Sequence, residues 1–399
     1  MSMPIASYRS ILGLGKETTP GTIAAPTLFV PFRGELKPKD HLKLLPDNGM
    51  RGSAVKTYDH IPGPLHAEYD WSGDVFADSI GIPLSLLGDV TVTGTPTGSG
   101  ATTLTAASIV GASSVLSLAS IPAGTLVQVD AGPIAEIRTT GTPTGSGPYT
   151  IPLTGAPLAY PHATSAALVP VTAPFTHAFS TLNSGTTQPP TWTVTDFNGL
   201  TTRQFAGLKF SECALKFNGD GLLEYSAKAL SLASVLGTVP VPSYTPVTPM
   251  PGWSGTVAIA GTSVTYVVDA EVSIKRPVTP IPAADGSQAP YALWSEEVEV
   301  SGKLTVVMED ETELLRYLQN TKPALDINFT QGTGANLSGI RLRMSKCAYT
   351  LAEINRGKKY AEITITFEAD ANVTDVGASG GYSPIKATVT NALPFGTFK

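Results

Sequence analysis

The sequence predicts a mainly β protein made of two duplicated β-sandwich or half-barrel domains, each with one flanking helix, and a small β-sandwich domain inserted into the first copy. Three observations carry this prediction. The composition favours short strands and tight turns, one set of segments occurs twice along the chain, and the stretch 89–185 differs in composition from its surroundings.

The composition suits a multi-domain β protein. The chain has 399 residues, of which only 15% are charged, whereas glycine (39) and proline (33) are abundant. The formal net charge of −6 offers no basic surface to phosphate groups, which argues against tight or sequence-specific nucleic-acid binding. The chain lacks a run of about 18 apolar residues and an apolar signal segment, so we predict a soluble, cytoplasmically made chain with no membrane insertion.

Four pairs of segments share a residue pattern. They are HAEYDWSGDVFADSIGIPLSLLG (66–88) with EVEVSGKLTVVMEDETELLRYLQN (297–320), QPPTWTVTDFNG (188–199) with TKPALDINFTQG (321–332), SECALKF (211–217) with SKCAYTL (345–351), and Glu224-Tyr225 with Lys359-Tyr360. The first pair is offset by 229 residues (301 − 72) and the others by 133 (323 − 190), 134 (347 − 213) and 135 (360 − 225). One domain therefore occurs twice, and the first copy carries an insertion of about 96 residues (229 − 133).

The insertion falls within 89–185, a stretch that is nearly free of charge and contains GTPTGSG twice. Its runs of β-branched residues between Gly, Pro and Ser turns predict a small β-sandwich or barrel, with a disordered linker as the alternative. The predicted organisation is a discontinuous first domain (1–88 with 186–240), the insert (89–185), a Pro-rich linker (241–252) and a second domain (253–399).

Each copy is predicted to contain one helix. The apolar periodicity places these helices at Ser79–Leu87 and Glu311–Gln319. In the second helix, Leu314, Leu315 and Leu318 are expected to form the face that packs on the core.

Alternation along the two matched strands predicts one buried apolar face and one face that carries carboxylates. Glu68 and Asp70 of the first copy correspond to Glu297 and Glu299 of the second. This carboxylate face has three possible interpretations. It is an ordinary solvated face, a catalytic pair of carboxylates, or a surface that stays negative because something anionic slides past it. The catalytic one is disfavoured, because stacked like charges without a recessed partner give no divergence of pKa values.

The sequence contains no motif for catalysis or cofactor binding. Cys213 and Cys347 alternate with apolar neighbours and are predicted to be small core residues. The five histidines lack metal-binding spacing, and GLGKET (13–18) lacks the first glycine of a phosphate loop. We therefore predict no enzyme, no catalytic residue, no metal site and no cofactor.

Three segments resemble the tail tube (major tail) proteins of long-tailed bacteriophages. They are GKETTPGTIAAPTLFVPF (15–32), LNSGTTQPPTWTVTDFNGLTTRQFAGLKFSECALKFNGDGLLEYSAKA (182–229) and GGYSPIKATVTN (380–391). The resemblance implies β-sandwich domains whose sheets join those of neighbours into a continuous barrel. It also implies rings of six tube domains that stack around a tape measure protein, meet tail terminator and distal tail proteins, and later let double-stranded DNA pass without specific binding.

The resemblance gives the carboxylate face a role, because it implies that this face lines the lumen and keeps DNA from sticking within a Debye length of about 8–10 Å. The lumen candidates are Glu68, Asp70, Asp74, Glu297, Glu299 and Lys303. The loops Lys37–Pro64 and Thr279–Pro290, together with the N-terminal arm, would bridge stacked rings in the virion tail.

Duplication changes the number of chains in a ring. If each chain supplies two tube domains, three chains complete a ring of six, and a hexamer of chains is the alternative. The insert resembles the accessory β domains that such proteins carry outside the tube. The rival interpretation is a virion decoration or adhesion protein whose insert binds host-surface glycans.

Overall fold

The computed structural model describes residues 6–34, 36–357, 359–393 and 397–398. Strands make up 50% of the structure and helices 6%, which confirms the predicted mainly β class. Within the described ranges, no helix is both long enough and apolar enough to cross a membrane.

In the part of the chain that the structure describes, fifteen strands precede the Pro-rich segment. They are β1 (Ile11–Lys16), β2 (Leu28–Phe29), β3 (Lys37–Asp47), β4 (Asp59–Asp74), β5 (Gly88–Pro96), β6 (Thr102–Thr103), β7 (Ser114–Ser117), β8 (Leu126–Val129), β9 (Glu136–Thr140), β10 (Tyr149–Thr154), β11 (Ala167–Thr181), β12 (Trp192–Phe197), β13 (Thr202–Asn218), β14 (Glu224–Ser231) and β15 (Val235–Gly237). The segment between β15 and Gly252 has no regular secondary structure, although Met250 within it is buried.

The remaining strands follow this segment. They are β16 (Gly255–Ile259), β17 (Thr262–Val264), β18 (Val267–Lys275), β19 (Val278–Ile281), β20 (Ala292–Ser295), β21 (Glu299–Val307), β22 (Leu325–Gln331), β23 (Ser338–Met344), β24 (Cys347–Asn355), β25 (Glu362–Ala369) and β26 (Lys386–Asn391). The described residues contain two short α-helices: α1 (Gly81–Leu84), which continues as a 3-10 turn over Ser85–Leu87, and α2 (Thr312–Leu318).

Eight strands form a continuous antiparallel sheet, here called the central sheet. Its order is β3-β4-β14-β13-β18-β21-β25-β24. The pairing of β13 with β18, here called the internal joint, runs from Glu212 opposite Lys275 to Asn218 opposite Asp269. Through this joint, one sheet passes from the first part of the chain to the second.

Two outer sheets pack against the core side of the central sheet. The first has the order β2-β1-β12-β13-β15, and the second has the order β17-β16-β22-β23-β26-β11-β5. The long strand β13 serves both the first outer sheet and the central sheet. Between the layers, Trp71 meets the rings of Tyr69 and Phe210 edge to face, and such pairs contribute about 0.5–1.5 kcal/mol each beyond burial.

The glycine of the matched Ser-Gly pair has a packing reason in the second part of the chain. A Cβ atom on Gly302 would lie 2.4 Å from the Phe367 ring and 2.4 Å from the Glu271 carbonyl oxygen. Any side chain at this position would therefore push β21 away from its neighbours in the central sheet.

The segment 89–185 contains a separate apolar core. Strands β6 to β10 and the first half of β11 surround it, and it is formed by Leu104, Val115, Ile121, Val127, Val129, Ile151, Leu153, Leu158 and Leu168. Strand β5 and the second half of β11 instead extend the second outer sheet, where Phe175 to Phe179 pair with β26. The separate core is thus attached through a two-stranded stem.

The apolar face predicted for α2 is wrong. Leu315 and Leu318 are 44% and 66% exposed, whereas Glu313 is buried. The helix is rotated by about one residue, because the Glu313 carboxylate accepts a hydrogen bond from Tyr349 Oη at 2.9 Å and pairs with Arg316. Leu314 still packs on the core, as predicted.

Two other details of the sequence interpretation are corrected. Tyr225 pairs with Leu215, but Tyr360 lies in the turn before β25, so the match of Glu224-Tyr225 with Lys359-Tyr360 is wrong. The hairpin of β24 and β25 is longer than that of β13 and β14, and this displaces the register. The predicted loop Lys37–Pro64 is mostly the hairpin of β3 and β4.

Candidate assembly surface

The central sheet turns one face away from the core, here called the open face. Strand alternation puts side chains from all its strands on this face in transverse rows. One row, the charged row, alternates in sign over six neighbouring strands: Lys37, Asp70, Lys228, Glu212, Lys275 and Glu299.

Direct contacts hold the middle of the charged row. The Lys228 ammonium donates to Glu212 Oε2 at 2.7 Å, and Ser273 Oγ donates to Glu212 Oε1 at 3.2 Å. Burial opposes ionisation of Glu212, but these bonds and the charge of Lys275 outweigh it and lower its pKa. Burial raises the pKa of Asp70, while the charge of Lys228 acts in the opposite direction.

A second charged row contains Asp74, Glu224, Lys216, Glu271 and Lys303 in neighbouring strands. Arg33 reaches this row from the segment before β3 and pairs with both Asp74, at 3.4 Å, and Glu224. A row of small side chains separates the two charged rows: Ser72, Ser226, Ala214, Ser273 and Ser301. The open face is therefore a band of interleaved charges with a polar, low-relief strip between them.

Five of the six predicted lumen candidates lie in strands on the open face. Asp70 and Glu299 belong to the charged row, Asp74 and Lys303 belong to the second row, and Glu68 lies opposite Lys39. His41 Nε2 also lies 2.8 Å from Glu68 Oε2. The sixth candidate, Glu297, is exposed and lies just before β21, outside any strand.

The face is not the uniform carboxylate ladder that alternation along single strands suggested. The cations Lys228, Lys216 and Lys275 come from strands that have no sequence match to β4 or β21. Their placement depends on cross-strand register, which pairs residues more than 100 positions apart in sequence, such as Asp70 with Lys228. Strand alternation predicted which carboxylates share a face. Their lysine partners follow from the pairing of the strands.

Both edges of the central sheet lack a second partner strand among the described residues. Strand β3 pairs only with β4, and β24 pairs only with β25. Exposed backbone edges are sites for pairing with another chain.

The internal joint shows how such an edge looks when it is covered. Beside it, the buried Arg276 donates from Nη1 to the Leu86 and Leu87 carbonyl oxygens at 2.8 and 3.3 Å, where it satisfies the end of the α1 turn. Leu86 is 1% exposed there, whereas Leu315, its counterpart at the offset of 229 residues, is 44% exposed.

The described residues show no constellation for catalysis or metal binding. Within the described ranges, no group of three or more His, Cys, Asp or Glu side chains is placed to hold a metal ion. Cys213 and Cys347 are fully buried, as predicted, and burial raises the pKa of each thiol to about 12, which makes them unreactive.

Comparison with known proteins agrees with these features. No curated protein sequence matches the chain. A family model described as phage tail tube protein matches residues 7–371, nearly the whole chain. This family is structural and is not known to be enzymatic. The chain therefore belongs to the phage tail tube protein family and is a structural component of a virion tail.

Proposed function

We propose that this chain is a duplicated tube protein, three copies of which form a ring of six tube domains, and that stacked rings form the hollow tail tube. The observation that carries the proposal is the internal joint. It joins two four-stranded units of the same order, β3-β4-β14-β13 and β18-β21-β25-β24.

The two units correspond strand by strand. Strand β4 matches β21 through the Ser-Gly pair, and β13 matches β24 through the aligned cysteines. Within one chain, β18 covers one edge of β13. Because β24 corresponds to β13, the free edge of β24 is the counterpart of that covered edge. The free edge of β3 is likewise the counterpart of β18. Strand β3 of a second chain thus fits β24, and three chains of eight strands close a barrel of 24 strands without edges.

The helices support the same joint between chains. Leu315 and Leu318 of α2 are exposed apolar side chains near β24, while Leu86, which the offset of 229 residues pairs with Leu315, is buried in the 3-10 turn after α1. The apolar surface is therefore covered in the first tube domain and exposed in the second. This difference is what we expect if the next chain covers α2 in the ring.

In this ring the open face lines the channel. Its alternating rows leave few lysines without a neighbouring carboxylate, so the DNA backbone meets little uncompensated positive charge. The tape measure protein would occupy this channel before DNA, and tail terminator and distal tail proteins would cap the ends of the tube. The separate core of the insert would lie on the outside.

A disulfide ladder tests the ring. Lys37 corresponds to Lys275, because both lie opposite matched carboxylates, and Lys346 corresponds to Glu212. We expect Lys37→Cys with Lys346→Cys to link neighbouring chains on oxidation. Non-reducing gels of assembled protein should then show monomer, dimer and trimer bands that end at the trimer.

The internal joint supplies the matched control. Glu212→Cys with Lys275→Cys should form a disulfide within one chain and leave the gel pattern unchanged. Bands that continue to a hexamer, or an image of the tube with six identical chains in each ring, would contradict the trimer.

A further inference from the structure

A cleft of about 470 Å³ lies beside the internal joint, between the loop before β12 and strand β20. Its walls include Pro20, Pro189 and Leu232, and two aromatic side chains, Tyr291 and Trp294, lie at its rim. These aromatic side chains are 77% and 46% exposed. The cleft is thus apolar and open, and two large aromatic side chains are exposed at its rim.

Lys209 lies in this cleft and has no carboxylate partner among the described residues. The side chain is only 7% exposed, and its ammonium donates to Gln188 Oε1 and to the Leu293 carbonyl oxygen, both at 2.7 Å. The charge that acts on it is that of the buried Arg276, which is itself bonded to carbonyl oxygens. Burial first, and then the charge of Arg276, lower the pKa of Lys209 to about 8.

The second part of the chain neutralises the matching cation. In LKFSEC (208–213) and LRMSKC (342–347), Lys209 aligns with Arg343. Arg343 Nε donates to Asp375 Oδ1 at 2.8 Å, and the fully buried Asp375 also accepts bonds from Ser345.

The missing carboxylate has a structural cause. Asp375 comes from the long connection between β25 and β26, whereas the corresponding connection between β14 and β15 contains only residues 232–234. That short connection places Leu232 on the wall of the cleft and brings no acidic group. A buried cation without a counter-ion is costly, and a carboxylate from elsewhere would offset that cost.

We propose that the Lys209 cleft binds an acidic side chain of a second copy of this chain in the assembled tail tube, with the carboxylate paired to Lys209. The inference rests on the proposed function. Charge complementarity selects the carboxylate, since the chain carries a net charge of −6. The exposed rings of Tyr291 and Trp294 favour a protein segment over a free ion, because aromatic side chains around a desolvated pocket are typical of protein interfaces.

Zero-length cross-linking with a carbodiimide tests the proposal on the full-length protein. The reagent joins an amine only to a carboxylate in contact with it. We expect mass spectrometry of assembled tubes to find an amide between Lys209 and an Asp or Glu of another chain, absent from the unassembled protein. The pair of Lys228 and Glu212, 2.7 Å apart within one chain, is the positive control in both samples.

Two variants give an independent readout. Lys209→Met should fold, because an apolar side chain of similar length replaces an uncompensated charge, and should assemble at least tenfold more slowly. Lys209→Arg keeps the charge and should assemble far better than Lys209→Met.

The outcomes separate the two proposals. Tubes that form without an intermolecular Lys209 cross-link, while the Lys228 control reacts, overturn the cleft proposal and leave the proposed function intact. A chain that never assembles overturns both. If Lys209→Met does not fold, the cross-link in the unaltered protein decides.

Discussion

His177 is a buried neutral side chain that links the stem of the insert to the last strand. Its Nε2 lies 3.2 Å from Asn391 Oδ1 and from the Leu393 carbonyl oxygen, both acceptors, so Nε2 carries the proton. Burial, which outweighs both hydrogen bonds, lowers the pKa of His177 to about 4. Phe398 packs edge to face on its ring, with the two ring centroids 4.9 Å apart.

This shift predicts acid sensitivity. Between pH 6.5 and about 4 the unfolded chain binds a proton at His177 that the folded chain does not, so the free energy of unfolding falls as the pH falls, by at most about 3 kcal/mol. His177→Gln should show a smaller loss over this window. Urea unfolding of both proteins at pH 7 and pH 4.5 measures the difference, and equal losses would contradict the assignment.

At this scale the sequence predicts burial better than it predicts partners. The alternation of Cys213 and Cys347 with apolar residues correctly placed both thiols in the core. No local pattern connects Glu212 with Lys228, or Arg343 with Asp375, because loops and hairpin registers decide those contacts. Sequence periodicity thus predicts which side chains share a face of a strand. The ion pairs on that face can be identified only from the tertiary structure.

Among the elements, α2 provides the sharpest test of the joint between chains. Leu318→Glu should leave the fold stable, because the side chain is 66% exposed, but should prevent ring formation by placing a charge in an apolar contact. Leu86→Glu, at a covered position beside the internal joint, should destabilise the fold by several kcal/mol.

Thermal unfolding and negative-stain microscopy of both variants separate these effects. A Leu318→Glu protein that forms normal tubes would show that α2 stays exposed in the assembly. The Leu86→Glu variant checks that the same change is harmful where the surface is already covered.

The helix also shows why an element can be predicted while its orientation is not. Apolar spacing placed a helix correctly over most of Glu311–Gln319, yet it assigned Leu315 and Leu318 to the core. The helix has only about two turns, so single contacts decide its rotation about its own axis. The hydrogen bond between Glu313 and Tyr349 fixes that rotation. The apolar side chains that this rotation leaves exposed are then available to contact another chain.

In the whole molecule, the separate core of the insert predicts that the insert can be removed. Nine of its buried apolar residues form a cluster of their own, whereas Ile137 belongs to the main core, and the stem is still paired where Thr95 meets Thr172. Replacing 97–170 by a two-residue Asn-Gly turn should keep the melting temperature of the remainder within a few degrees and preserve tube formation. Calorimetry and electron microscopy check both, and loss of the fold would show that the insert stabilises the second outer sheet.

The open face leads to a prediction about DNA passage. Glu212→Gln with Glu299→Gln removes two carboxylates from the charged row, which leaves Lys275 without either carboxylate neighbour and Lys228 with Asp70 alone. Tubes should still form, because the row is exposed to solvent, but ejection of DNA should become slower.

Salt and position provide the controls for this effect. Retarding contacts between lysines and phosphates weaken steeply as salt rises, so the ejection rate of the variant should approach the normal rate at high ionic strength. Asp285→Asn with Asp326→Asn removes the same charge away from the open face and should eject normally. If both double variants eject at the unaltered rate at low salt, the carboxylates of the charged row belong to an ordinary solvated surface, and the channel must be lined by a different face of the chain.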